Sequence, residues 1–119
     1  MLFRSHSGWE PRLLETIAAD ARRRIHAVQL SDYKAVTMRT LDRALLGRGV
    51  LPLACILSTL EGGGYRGWYE VEIVSDDLER MGYAAALRQT RDAFLRLWRG
   101  LPGSGVASRR RSEIGRAHV

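Results

Sequence analysis

The sequence predicts an α/β fold in which parallel strands are covered by helices. Two observations predict it. Segments with the helical apolar period alternate with short β-branched or aromatic runs, in the order helix, strand, helix, strand, helix. Turn formers punctuate the joins: "GGGYRG" at 62–67 ends one helix, and Ser75-Asp76-Asp77 reads as the cap region of the next. Strands that alternate with helices build parallel sheets.

From Trp9 to Arg24 the spacing of Leu13, Leu14, Ile17, Ala18 and Ala21 is helical, and Pro11 suits a first turn. "IHAVQL" at 25–30 reads as a short buried strand. "SDYKAVTMRTLDRALLGRG" reads as a long polar loop with room for a short helical piece. Pro52 opens a second helix whose apolar stripe is Leu53, Ile56, Leu57 and Leu60. "RGWYEVEIVSDD" at 66–77 contains the second strand, and a last helix runs to about Arg99 with Leu87, Phe94, Leu95 and Trp98 inward.

A chain of 119 residues is one domain at most. With 45% hydrophobic and 27% charged residues it has the composition of globular material, not of a disordered tail. Its longest apolar run, "VLPLACIL", is too short to span a bilayer. "MLFRSHSGWE" lacks the apolar stretch of a secretory signal. Cys55 is the one cysteine, which excludes an internal disulfide and fits a reducing, cytoplasmic compartment. No membrane partner is expected.

The net charge of +6 suggests nucleic acid until the tail is set aside. Residues 101–119, "LPGSGVASRRRSEIGRAHV", carry turn formers and an arginine run without apolar periodicity, and are expected to be disordered. Residues 113–119, "EIGRAHV", match a reading frame of a common sequencing adapter and are expected to be a scar. The tail holds Arg109, Arg110, Arg111 and Arg116 against Glu113, a net +3, which leaves +3 for residues 1–100. A basic nucleic-acid module is therefore the rival from another class. It would need Arg22, Arg23, Arg24 and Arg39 beside stacking aromatics, and the aromatics fall at core positions.

In parallel α/β sheets function sits at the C-terminal strand ends and the loops after them. Gln29, Ser31 and Asp32 lie at one such end; Glu72, Ser75 and Asp76 lie at the other. Alternation puts Val28, Leu30, Val71 and Ile73 toward the helices and Gln29, Glu70 and Glu72 on the opposite face. A buried carboxylate needs a partner charge or a metal. With no Lys or Arg expected at a matching strand position, a divalent cation at Glu72 is the economical explanation. Glu70, one layer deeper, is read as structural. "GGG" at 62–64 precedes a strand, the wrong end for a phosphate cradle. "RSHSG" is loop-like, and His6 is weighed only as a residue near the mouth.

"HAVQLSDY", "RALLGRGVLPL" and "GGGYRGWYEVEIVSDD", in that order and spacing, resemble the C-terminal part of the sugar phosphate isomerase/epimerase family. That family has the xylose-isomerase-like TIM barrel, shared with apurinic endonucleases and inosose dehydratases. The resemblance covers residues 1–100 and implies about two parallel strands and three helices of a (β/α)8 barrel. It implies that Glu72 is the last-strand metal ligand and acid/base. It further implies that Gln29 replaces a histidine ligand, that Asp32 follows that strand as a substrate contact, and that Arg43 holds substrate oxygens or phosphate.

A glutamine oxygen in place of imidazole favours hard ions such as Mg2+ or Mn2+, with Co2+ also in range. The implied reaction is isomerisation or epimerisation of a small sugar, polyol or keto-sugar through a metal-stabilised enediolate. An inosose-type dehydratase is the alternative on the same fold. The apurinic endonuclease reading is weaker, because the loop 33–47 offers no histidine ligands. The expected partner is a small-molecule sugar or polyol, with no nucleic acid; homo-oligomerisation of a complete barrel is left open. Since a TIM barrel needs about 250 residues, Met1 is expected to be an internal or fragment start, "LFRSHSG" to follow directly on a strand, and the chain alone to be inactive.

Overall fold

The computed structural model describes residues 1–5, 10–35, 42–101 and 117–118. Its order is β1 (Leu2–Arg4), α1 (Leu13–Asp20), β2 (Ala27–Leu30), β3 (Asp32–Tyr33) and β4 (Arg43–Ala44). Then come α2 (Leu53–Gly62), β5 (Trp68–Glu72), α3 (Asp76–Met81), α4 (Tyr83–Arg99) and β6 (Ala117–His118). One four-stranded sheet runs β1-β2-β5-β6 with every pairing parallel. β3 and β4 form a separate antiparallel pair, with Tyr33 opposite Arg43.

Strand alternation decides which face is covered. Phe3, Val28, Leu30, Val71 and Ile73 point to the helices and are buried. They meet Ile17 and Ala21 of α1, the stripe Leu53, Ile56, Leu57 and Leu60 of α2, and Ala86, Ala93, Phe94 and Trp98 of α4 in one cluster. Fully burying each large apolar side chain stabilises by about 1.5–3 kcal/mol, so this face holds the fold together. The other face carries Leu2, Arg4, Ala27, Gln29, Trp68, Glu70 and Glu72. On it Leu2 and Trp68 are exposed at 42% and 58%. Such a face looks inward in a closed barrel.

Three expectations change. Leu2–Arg4 is itself a strand, β1, not a loop following one. Phe3 is drawn into the core, and β1 takes up the free edge of β2 with Leu2, Phe3 and Arg4 opposite Ala27, Val28 and Gln29. The last helix is two helices, because Gly82 adopts φ +92 at the join, a backbone only glycine takes readily. On α4, Ala86, Thr90, Ala93, Phe94 and Trp98 are the buried positions, while Leu87 and Leu95 are half-buried. Small residues let α4 lie close to its neighbours.

The tail expectation covers 101–119. Leu101 is buried against the core. Ala117 and His118 form β6 opposite Val71 and Glu72, so an element stands at these two positions where none is expected. Residues 102–116 and 119 lie outside the described residues, as does His6.

Candidate functional site

A pocket of about 180 Å³ opens at the C-terminal ends of β1, β2 and β5. Arg4, Ser5, Gln29, Ser31, Arg43 and Glu72 are among its walls. Three of the four residues expected at a site, Gln29, Arg43 and Glu72, thus meet in one place.

The parallel register explains how. Arg4 stands opposite Gln29, and Gln29 opposite Glu70, so the three form one row across three strands. The Gln29 Nε2 donates to Glu70 Oε2 at 3.1 Å, which turns its amide oxygen the other way. Glu72 lies two residues further along β5, roughly 7 Å toward the active end. Among the described residues its carboxylate has no hydrogen-bond or ion-pair partner. Arg4 corrects the expectation that no basic residue sits at a matching strand position. The row through Gln29 and Glu70 begins with a guanidinium. Arg4 was hidden in a stretch read as loop; the alternation Leu2, Arg4 read as strand would have placed it on the Gln29 face.

The rim is fixed by backbone contacts. Ser5 Oγ donates to the Ser31 carbonyl and accepts from the Ser31 N–H, both at 2.7 Å, tying the ends of β1 and β2. Arg43 N–H donates to the Val74 carbonyl at 3.2 Å, and Asp42 bridges to Ser75, so β4 lies against the chain leaving β5. The Arg43 guanidinium stacks on the Tyr33 ring with Cζ 3.8 Å from the centroid. Burial pushes the Tyr33 phenol above its ordinary value, partly offset by Arg43.

Asp32 is not brought to the pocket. It is fully buried, and its two oxygens accept backbone N–H groups of Tyr33 and Leu51 on Oδ1 and of Gly47 and Gly49 on Oδ2, at 2.9–3.0 Å. A side chain at Gly49 would put its Cβ 2.5 Å from the Asp32 Cγ, so glycine is required for this approach. Asp32 therefore shapes the loop between β3 and α2, and its oxygens are taken.

Lys34 fastens the same loop to α3 by pairing with buried Asp42 and with Asp77, the latter at 3.2 Å. Asp42 first, and then Asp77, hold the Lys34 ammonium above its ordinary value. A cation whose folded pKa is raised contributes fully below its unfolded value, about 10.4, and loses that contribution as pH rises through the raised value. Urea stability should therefore fall from about pH 10 upward, more steeply than in Lys34→Met. Identical alkaline profiles for the two proteins would show that this lysine holds nothing. Lys34 is the only lysine in the chain, so no other ammonium side chain blurs the comparison.

Parallel strands with helices on one face and a polar pocket at the C-terminal strand ends define part of an α/β barrel. The family model described as Xylose isomerase-like TIM barrel matches residues 3–97, and the chain belongs to that family. The fold is similar to that of the IolI protein solved with a bound zinc atom, with TM-score 0.70 and 18% identity. That likeness covers 82% of this chain and 36% of the IolI chain, so the chain spans about a third of that neighbour. No curated protein sequence matches it. Among the described residues no helix is long and apolar enough to cross a membrane.

Proposed function

We propose that the pocket is the share this chain contributes to the active site of a divalent-metal-dependent isomerase or epimerase acting on a small sugar, polyol or keto-sugar. The observation that carries the reading is the Glu72 carboxylate, without a protein partner, at the C-terminal end of a parallel strand beside Gln29 and Arg43. IolI, of the same fold, holds zinc.

The residues fit a cation in part. Glu72 offers a charged oxygen and Gln29 a neutral one, and among the described residues no cluster of three or more His, Cys, Asp or Glu could hold a metal. The rest of a coordination shell belongs to strands of the barrel that IolI has and this chain does not span. A bound divalent ion would polarise a substrate carbonyl as a Lewis acid. Glu72, beside it, takes the proton from the carbon next to that carbonyl and returns it to the neighbouring carbon or the opposite face. Arg43, steadied by Tyr33, orients the substrate through its oxygens. Asp32, Lys34 and Asp42 act at a distance, by holding the loop that carries Arg43.

The same constellation serves an inosose-type dehydratase, with Glu72 passing its proton to a leaving hydroxyl. With an incomplete shell, this chain alone should not turn over sugars. Calorimetric titration with Mn2+ tests the assignment: the wild-type chain should bind weakly but saturably, and Glu72→Gln should lose that binding. Equal affinity in the two proteins would remove Glu72 from the site.

A further inference from the structure

We infer that the pocket selects a substrate bearing an oxyanion, a carboxylate or a phosphate, and grips it between Arg4 and Arg43. The inference rests on the reading of this pocket as the substrate site, and it adds Arg4 and the charge of the ligand.

The two guanidiniums arrive from different elements, Arg4 at the end of β1 and Arg43 on β4, yet both line the same small cavity. Neither has a carboxylate partner among the described residues. Elsewhere on the chain Arg12, Arg24, Arg80 and Arg91 each pair with a nearby acid. Within the pocket the acid nearest in register to Arg4 is Glu70, and Gln29 stands between them with its amide nitrogen on the Glu70 oxygen. That neutral spacer keeps Arg4 from being neutralised by the strand two places away.

Arg43 is held for use rather than consumed. The Tyr33 ring covers one face of its guanidinium, and stacking leaves the edge N–H groups, the fork that recognises carboxylate and phosphate oxygens, directed away from the ring. The serine hydroxyl of Ser5 is committed to the Ser31 backbone in both directions, so it does not compete for the ligand. With two guanidiniums against the one carboxylate of Glu72, the pocket is positive by one charge. A divalent cation on Glu72 would raise that further. Such a cavity disfavours a cationic ligand and gains from an anionic one. A volume of about 180 Å³ restricts the anion-bearing portion to a few heavy atoms beyond the charged group.

The test uses the 119-residue chain, labelled with 15N, and three probes: inorganic phosphate, glycolate and neutral glycerol. Saturable shifts are expected at the amides of Ser5, Gln29 to Ser31, Arg43 and Val74 with phosphate or glycolate, and none with glycerol. Whichever anion binds more tightly names the source of the charge. Arg4→Gln and Arg43→Gln should each weaken that anion at least about 10-fold, as expected for loss of a charge-assisted bidentate contact. Arg43→Lys, which keeps the charge and loses the fork, should fall between. Spectra of the free variants establish that each is folded. The absence of saturable shifts with both anions, or affinities unchanged in both glutamine variants, overturns the inference. Mn2+ binding, followed separately, distinguishes the two ideas. Metal binding without anion binding sinks this inference and spares the functional reading; anion binding without metal binding does the reverse.

Discussion

Asp32→Asn is expected to destabilise the chain by about 3 kcal/mol or more, measured as a lower urea midpoint at unchanged slope. The substitution is isosteric, so it leaves no cavity, and its effect isolates hydrogen bonding. Asp32 accepts four backbone N–H groups from inside the fold. An asparagine presents one oxygen and one NH2, and the NH2 then faces two donors that have no water to turn to. A loss below about 0.5 kcal/mol, the range of an ordinary surface change, would mean that the loop is organised by something else. Because the same loop bears Arg43, the variant should also weaken oxyanion binding.

Much of the architecture was legible because periodicity is a direct consequence of burial. Leu53, Ile56, Leu57 and Leu60 repeat at helical spacing, and all four are buried. Val71 and Ile73 alternate with Glu70 and Glu72, and the sheet separates them by face in that way. β1 was not legible. A three-residue strand has too few side chains to show a period, and "FRSHSG" carries turn formers. The split at Gly82 was masked by the continuous apolar spacing on either side of it.

The site was readable where strand direction alone placed it. Gln29 and Glu72 follow from the rule that function gathers at C-terminal strand ends, and Arg43 from family resemblance. Asp32 misled for a physical reason. An aspartate after a strand has two equally good uses, a ligand contact or an acceptor of backbone donors. Only the fold of the loop 42–51 reveals that Gly47, Gly49 and Leu51 present their N–H groups to it. Arg4 and the Tyr33 stack needed the third dimension as well: β1 had to be paired, and β3 and β4 brought opposite each other, before either was visible.

Glu72→Gln should lower Mn2+ affinity at least about 100-fold, because loss of even an outer partner of a metal ligand costs about 10–100-fold. Glutamine keeps the shape and hydrogen-bonding size of the side chain, which is exposed, so the fold should be untouched. The chain also offers a competing acidic surface: Asp76, Asp77 and Glu79 crowd the first turn of α3. Affinity alone does not separate the two, and location does. Paramagnetic broadening of the 15N-labelled chain by substoichiometric Mn2+ tests the central claim most directly. Broadening centred on Gln29, Ser31, Glu72 and Ile73, and erased in Glu72→Gln, is the predicted result; broadening centred on Asp76 to Glu79 and unchanged in that variant would contradict it.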